Sequence, residues 1–376
     1  MAHENHNGKH AMVATNRIYD IGTSVWLDDL SRDLLHGTEN FDLFLLERNI
    51  LGITTNPAIF SAAISAGGDY DRQLEELRAE NVTAEEAVYR MSILDVQEAC
   101  DVLAGVYQDT HGRDGRVSIE VDPRYAHDEE KTINQARELW KQVARPNAMI
   151  KIPATDESLP AITTALSEGI SVNVTLIFSV ERYKQVIDAY KKGLELAAQQ
   201  GRDLEEIHSV ASFFVSRMDV EVDKRLETIG TPEALALRGK AGIANARLAY
   251  HLFLDSFNDV DELPPRANKQ RPLWASTGVK NPEYPQNMYV VELAGPDTVN
   301  TMPMDTINVV NEMDQLKGDT LTYADENARE VFAGLEKVGI DLDDVVAVLE
   351  REGVEKFVTA WQELLDSTEE KLNAAK

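Results

Sequence analysis

Cysteine is nearly absent: Cys100 is the single one in 376 residues. That excludes an intrachain disulfide and a zinc site built on several thiolates, and it suits a reducing, cytoplasmic setting. Within Asp95-Val96-Gln97-Glu98-Ala99-Cys100 the residue reads as a core filler of a helix. Basic charge is scarce as well, with Lys+Arg 37 against Asp+Glu 65 and a formal net charge of -28. No basic run is long enough to track a phosphate backbone, so nucleic acid is not an expected partner. An acidic surface also repels anionic lipid, and any phosphorylated ligand needs a local basic pocket to overcome the global field. Long apolar runs are missing, so no membrane span is expected. The polar start Met1-Ala2-His3-Glu4-Asn5-His6 does not read as a signal peptide. There is neither a Gly-rich phosphate loop nor a Gly-x-Ser-x-Gly elbow, and Gly52-Ile53-Thr54-Thr55 lacks the glycines of a nucleotide motif.

What is present is a hydrophobic content of 43%, ample for a large core. Short β-branched runs alternate with helical patterns. Strands are predicted at 21–28, 51–55, 116–122, 147–153, 170–177, 207–214, 271–276 and 288–293, and helices at 94–110, 128–145, 157–168, 179–200 and 233–258. Thr155-Asp156-Glu157 and Asn56-Pro57 read as helix starts, the second with proline at the first helical position. Strand–helix alternation implies parallel strands with right-handed crossovers, and eight strands point to a closed (β/α)8 barrel rather than an open sheet. Residues 1–18 read as a mobile tail whose His3, His6 and His10 have no expected role, and 19–376 as a single barrel domain. Within it, 305–376 holds appended helices at 305–316, 322–338 and 342–374, broken at Gly339-Ile340-Asp341-Leu342.

Strands buried on both faces usually read as continuous apolar runs. Several here alternate instead. Val117, Ile119 and Val121 stand opposite Ser118, Glu120 and Asp122; Val172, Val174 and Leu176 stand opposite Ser171, Asn173 and Thr175. Trp26 and Asp28 share one parity of their strand, and Lys151 stands alone between Ile150 and Ile152. Since successive side chains point to opposite faces, one face of each strand is apolar and meets the helices. The other is polar and lines the barrel interior, where its groups must bond one another or a ligand. Active sites of this architecture lie at the C-terminal ends of the strands. Asp28, Asn56, Glu120, Lys151, Asn173, Thr175, Ser212 and Ser276 fall at or near those ends, and together describe a polar pocket with one lysine and two carboxylates. Lysine is rarely fully buried. A neutral amine in a dry site attacks ketones to form Schiff bases, whereas the plainer reading is a lysine that snorkels to water or pairs with a carboxylate.

The motifs Gly52-Ile53-Thr54-Thr55-Asn56-Pro57, Val117-Ser118-Ile119-Glu120-Val121-Asp122, Ile150-Lys151-Ile152-Pro153-Ala154-Thr155, Asn173-Val174-Thr175-Leu176-Ile177-Phe178 and Ser212-Phe213-Phe214-Val215-Ser216-Arg217-Met218-Asp219 follow in order. With Trp274-Ala275-Ser276-Thr277-Gly278-Val279-Lys280-Asn281-Pro282 they make the chain resemble the transaldolase family, in its longer bacterial form, over nearly its whole length from about residue 17. The resemblance implies a class I aldolase-type barrel that moves a dihydroxyacetone unit from sedoheptulose 7-phosphate to glyceraldehyde 3-phosphate. Erythrose 4-phosphate and fructose 6-phosphate would result, in the non-oxidative pentose phosphate pathway. No metal or organic cofactor is implied, because the protonated imine serves as electron sink. The implied partners are small sugar phosphates, and the chain would be a monomer or homodimer.

The resemblance also implies roles. Lys151 would form the imine, its amine pKa depressed by desolvation. Glu120 would handle protons through a water held by Thr175, and Asp28 would take the C4 hydroxyl proton. Asn56 and Asn173 would bond substrate hydroxyls. Arg217, with Ser212 and Ser276, would bind phosphate. Plainer readings stand beside these: Asp28 or Asn56 as helix caps, Glu120 as a mere ion-pair partner of Lys151, Asn173 with Thr175 as a structural pair, and Arg217 as a surface residue pairing with Asp219 or Glu221. Short members of the family carry an arginine where Gly278 stands, and Lys280 is the candidate to replace its charge. Related barrels that only cleave fructose 6-phosphate tend to carry tyrosine at the place of Phe214, so phenylalanine favours transfer. The alternatives are a fructose 6-phosphate aldolase and a catalytically silent sugar-phosphate-binding barrel.

Overall fold

The computed structural model describes residues 14–37, 40–66, 68–258, 263–313 and 316–374. Eight parallel strands close into a barrel in sequential order: β1 Thr23–Leu27, β2 Gly52–Ile53, β3 Arg116–Glu120, β4 Ala148–Pro153, β5 Val172–Ile177, β6 Ser209–Phe214, β7 Arg271–Ala275 and β8 Thr298–Met302. The parity expected from the sequence is the parity observed. Val25, Leu27, Val117, Ile119, Ile150, Ile152, Val172 and Val174 join the core between strands and helices. Trp26, Met149, Val210, Leu273 and Val299 belong to a second apolar cluster. They precede the site residues on the inward parity and form a dry floor across the barrel. Gly52 is required at this floor, because a Cβ there would lie 2.5 Å from the Trp26 ring.

Seven strands lie where the sequence puts them, shortened by a residue or more. The eighth does not. The run 288–293 forms a short helix, Met288–Val291, and the strand that closes the barrel is Thr298–Met302, pairing with β1 from Thr23↔Thr298 to Leu27↔Met302. The physical reason is that a short apolar run has no decisive period. Met288-Tyr289-Val290-Val291 buries Tyr289 as a helical turn, whose hydroxyl donates to Asp219 at 2.6 Å. The strand itself is rich in polar residues: Thr298 donates to the Gly295 carbonyl at 2.8 Å, Thr301 Oγ1 lies 2.6 Å from Thr54 Oγ1, and Asn300 Oδ1 accepts from Thr277 at 2.9 Å.

Helices run from Ala84 to Val102, Glu129 to Val143, Ser158 to Ser167, Val180 to Gln199, Ser216 to Ile229 and Ala241 to Phe257. Helix starts follow capping chemistry: Thr83, Asp128 and Ser179 accept from the third following N–H, and Thr155 Oγ1 accepts from Ser158 N at 3.1 Å. The helix Ser216–Ile229 was not read from the sequence. Cys100 is buried in the first of these helices, and desolvation pushes its thiol up to about 12.

Part of the stretch expected to be a tail, 14–18, lies in a helix. Ala14–Ile21 is a helix with Ala14 and Ile18 in the core, held by Thr15 Oγ1 donating to Asn311 Oδ1 at 3.2 Å. His3, His6 and His10 lie outside the described residues. The appended helices are Met304–Asn311, Asp325–Lys337 and Leu342–Asn373. The break before the last is made by Gly339 at φ +97°, after which Asp341 caps the new helix through Asp344 N at 3.0 Å. This 32-residue C-terminal helix spans the carboxyl end of the barrel. It is anchored by ion pairs Arg182–Glu350 and Arg225–Asp344, by Trp361 against Tyr89 and by Lys371 donating to the Ile64 carbonyl.

Candidate active site

Lys151 and Glu120 are register partners on β4 and β3, and both point inward. Their side chains are only 6% and 4% exposed, with Lys151 Nζ 3.5 Å from Glu120 Oε2. Nζ also donates to the Thr55 carbonyl at 3.0 Å. Among the described residues neither Glu120 oxygen, nor Thr175 Oγ1 on neighbouring β5, has a hydrogen-bond partner, although all three atoms are buried. Buried polar atoms without partners are costly unless a ligand or water meets them. Burial raises the Glu120 carboxyl to about 7 even though the Lys151 ammonium opposes the rise. A carboxyl that titrates near neutrality can both donate and accept a proton.

Asp28 follows the end of β1. Its carboxyl is raised above the ordinary range by burial, with Lys151 and Lys280 opposing. Thr54 Oγ1 donates to Asp28 Oδ1 at 2.7 Å and lies 2.6 Å from Thr301 Oγ1. Asp28 caps no helix: the following helix, Arg32–His36, is capped by Ser31. Asn56 does cap, its Oδ1 accepting from Ile59 N at 3.0 Å, which leaves its amide hydrogens to donate.

Asn173 sits in the layer of Lys151, its register partner. Its amide donates to Ser118 Oγ at 3.1 Å and its carbonyl accepts from Ser212 Oγ at 2.6 Å. The pairing of Asn173 is therefore with two serines rather than with Thr175. Ser212, 1% exposed, spends its hydrogen on this interior network. The structure thus places Ser212 in the lysine layer, away from the serines at the rim.

The rim is built differently. Ser276, at φ +54°, follows β7, and its hydroxyl lies 2.7 Å from that of Ser216. Arg217 opens the helix after β6. Its guanidinium lies 5.1 Å from the Phe214 ring centre and 5.9 Å from that of Phe357, and Nη1 is buried without a partner among the described residues. The acids proposed to pair with it are engaged elsewhere: Glu221 with Arg225 at 2.8 Å and Asp219 with Tyr289 and Gly242 N. Gly278 leaves space that Lys280 approaches, since a Cβ on Gly278 would lie 3.9 Å from Lys280 Nζ.

Sequence reasoning missed three residues here. Thr54 and Thr301 orient Asp28, and Thr301 was hidden because its strand was misplaced. Phe357, on the C-terminal helix, has its ring centre 5.5 Å from Lys151 Nζ and 6.5 Å from that of Phe214. Nothing local to Phe357 signals this, because it reads as one more apolar position on the buried face of a helix. Gly353, one turn earlier, lets the helix approach Phe178, whose ring a Cβ would meet at 2.9 Å.

Among the described residues this closed parallel barrel holds one buried lysine, flanked by two carboxylates at the carboxyl ends of its strands, an arrangement that suits the Schiff-base aldolase class. The sequence matches the Transaldolase/Fructose-6-phosphate aldolase family over residues 25–368. It is 56% identical over 358 residues to a transaldolase of Mycolicibacterium smegmatis, an alignment covering 94% of this chain and 96% of the relative. Transaldolases of Mycobacterium tuberculosis and Mycobacterium leprae are 55% and 54% identical, each over 94% of this chain and 96% and 95% of the relative. The chain belongs to the transaldolase/fructose-6-phosphate aldolase family.

Proposed function

We propose that the chain is a transaldolase, transferring a dihydroxyacetone unit from sedoheptulose 7-phosphate to glyceraldehyde 3-phosphate and releasing erythrose 4-phosphate and fructose 6-phosphate. The observation that carries this reading is the Lys151–Glu120 pair at 3.5 Å in a site closed by Phe357.

In this reading the free amine of Lys151 attacks the C2 ketone, forming a C–N bond while the carbonyl oxygen takes a proton. Glu120, which titrates near neutrality, supplies and removes protons as the carbinolamine loses water to give the iminium. A water held between Glu120 and Thr175 is the relay, and their unpartnered oxygens suit it. Asp28 takes the proton of the C4 hydroxyl, the C3–C4 bond breaks, and its electron pair flows into the iminium to give the enamine. The first aldose leaves. The enamine carbon attacks the acceptor aldehyde and Asp28 returns the proton to the new hydroxyl. Hydrolysis of the iminium, again through Glu120, frees the product and Lys151. Thr54, held by Thr301, orients Asp28 throughout. Asn56 bonds substrate hydroxyls, Asn173 donates its remaining amide hydrogen, and Arg217, Ser276 and Lys280 receive phosphate. Ser212 supports Asn173. Phe214 and Phe357 keep water from the enamine, which favours transfer over release of free dihydroxyacetone.

Small sugar phosphates are the partners in this reading. Among the described residues no helix is long and apolar enough to cross a membrane, and the buried, unpaired Cys100 suits a reducing cytoplasm.

The deciding experiment combines trapping with product analysis. Borohydride added with fructose 6-phosphate is expected to leave a dihydroxyacetone-sized mass on the Lys151 peptide, absent in Lys151→Ala. With an aldose phosphate acceptor present, a new ketose phosphate is expected. Free dihydroxyacetone as the main product would instead make the chain an aldolase. Folded protein that binds sugar phosphate without an adduct would make it a silent binder.

A further inference from the structure

We infer that the amino-terminal end of the barrel, opposite Lys151, carries a second anion site for a small phosphate-bearing molecule. A cleft of about 360 Å³ opens there, lined by Arg113, Arg116, Lys269 and Arg271 together with His111 and His208. That volume lies within the roughly 300–1,000 Å³ usual for small-molecule sites. Arg116 and Arg271 are the first residues of β3 and β7, so the cleft faces away from the strand ends that hold Glu120 and Ser276. The apolar floor of Trp26, Met149, Val210, Leu273 and Val299 lies between the two ends.

Charge is the first argument. Four cations line the cleft against one lining carboxylate, Asp297, which pairs with Arg113 at 2.9 Å. Asp114 lies behind, fully buried, and is engaged by Arg271 at 3.0 Å, Ser24 at 2.8 Å and Trp26 at 2.9 Å. In a chain of net charge -28, such a concentration of positive charge is local and must be built. It also acts on His208, whose imidazole is held neutral far below its usual range by burial and by Arg116 and Arg271.

Unused hydrogen-bonding capacity is the second. Arg116 is fully buried, and among the described residues no carboxylate pairs with it. Its Nε donates to the Gly112 carbonyl at 2.7 Å and Nη1 reaches Pro146 O and Ser171 Oγ at 3.3 and 3.4 Å. Among the described residues Nη2 has no hydrogen-bond partner, while the guanidinium carbon lies 5.0 Å from the centre of the Tyr107 ring. A guanidinium serving only to plug the barrel would have its donors satisfied. Gly112, at φ +77°, keeps the approach open: a Cβ there would stand 3.0 Å from Nη2 and 2.9 Å from His208 Nε2. A phosphate is the ligand that uses several converging N–H donors and favours a field of this sign.

The test follows the imidazole ¹⁵N signals of His111 and His208 in the full-length protein titrated with inorganic phosphate, against sodium chloride at equal ionic strength. Saturable shifts with phosphate alone are expected. Lys269→Glu, at an exposed position, should weaken the midpoint about tenfold by exchanging attraction for repulsion, and Arg116→Lys should weaken it too. Arg217→Ala, at the other end of the barrel, should leave it unchanged. Absent shifts, equal shifts with chloride, or a midpoint that ignores Lys269→Glu would overturn the assignment; so would one abolished by Arg217→Ala. Should Arg116→Lys fail to fold, Lys269→Glu decides alone. Because the readout is not catalytic, failure here leaves the transaldolase reading intact.

Discussion

Replacing Phe357 with alanine tests whether the C-terminal helix is part of the active site or merely covers it. The ring faces two cations, Lys151 Nζ at 5.5 Å and the Arg217 guanidinium at 5.9 Å, and touches Phe214. A cation over an aromatic face is worth about 0.5–2 kcal/mol, more when dry. In the proposed mechanism the iminium on Lys151 is such a cation, so its loss of stabilisation should slow transfer by about 2–30-fold. The folding penalty should be about 3 kcal/mol, the low end for Phe→Ala, because the ring borders the site instead of filling a sealed core. The helix stays docked through Arg182–Glu350, Arg225–Asp344 and Trp361. Opening the site also admits water to the enamine. Steady-state transfer from fructose 6-phosphate to an aldose phosphate, run beside a quantitative assay for free dihydroxyacetone, reads both effects. Transfer should fall and the released fraction should rise. A folded variant whose transfer rate stays within about twofold of the parent, with no added release, would refute the role assigned to this helix.

Lys280→Ala should raise KM for phosphorylated substrates about three- to tenfold with little change in kcat, since an exposed charge contributes modestly; an unchanged KM removes Lys280 from the site. The limb of the pH–rate profile that reports Glu120 should fall near its value of about 7, and Glu120→Gln should lose that limb together with about 10²–10⁴ in rate; retention of the limb would assign it to another group. The same carboxyl bears on stability. Its folded value exceeds the ordinary 4.5, so the folded state holds the proton more tightly. Its contribution is therefore complete below about pH 4.5 and lost as pH rises through about 7. Melting temperatures of parent and Glu120→Gln across that window should diverge accordingly, and parallel curves would contradict the shift. Gly52→Ala should destabilise by about 1–3 kcal/mol through overpacking against Trp26, visible in chemical denaturation followed by tryptophan fluorescence; an unchanged midpoint would show that the indole can yield.

The barrel and most of its chemistry were legible because both depend on alternation along single strands. Ser118 and Glu120, Asn173 and Thr175, and Trp26 and Asp28 declared an inward polar face, and Lys151 stood out as the lysine on it. A strand's side-chain period is a local property, written into consecutive residues. Where period fails, so does the reading. Met288-Tyr289-Val290-Val291 has the composition of a strand and the fate of a helical turn, and with the true β8 misplaced, Thr301 and its link to Asp28 went unseen. Ser212 was legible as an inward residue, but its assignment to a phosphate did not foresee that Asn173 would claim its hydrogen. Phe357 over Lys151 and the basic cleft around Arg116 join residues far apart in the chain, and no local pattern encodes such encounters. The sequence by itself determined the architecture, the buried lysine and its two carboxylates, because strand parity carries that information residue by residue. Only the tertiary structure decided which groups face one another across the barrel, what closes its mouth and where positive charge gathers, because those depend on how the barrel closes and where the last helix docks.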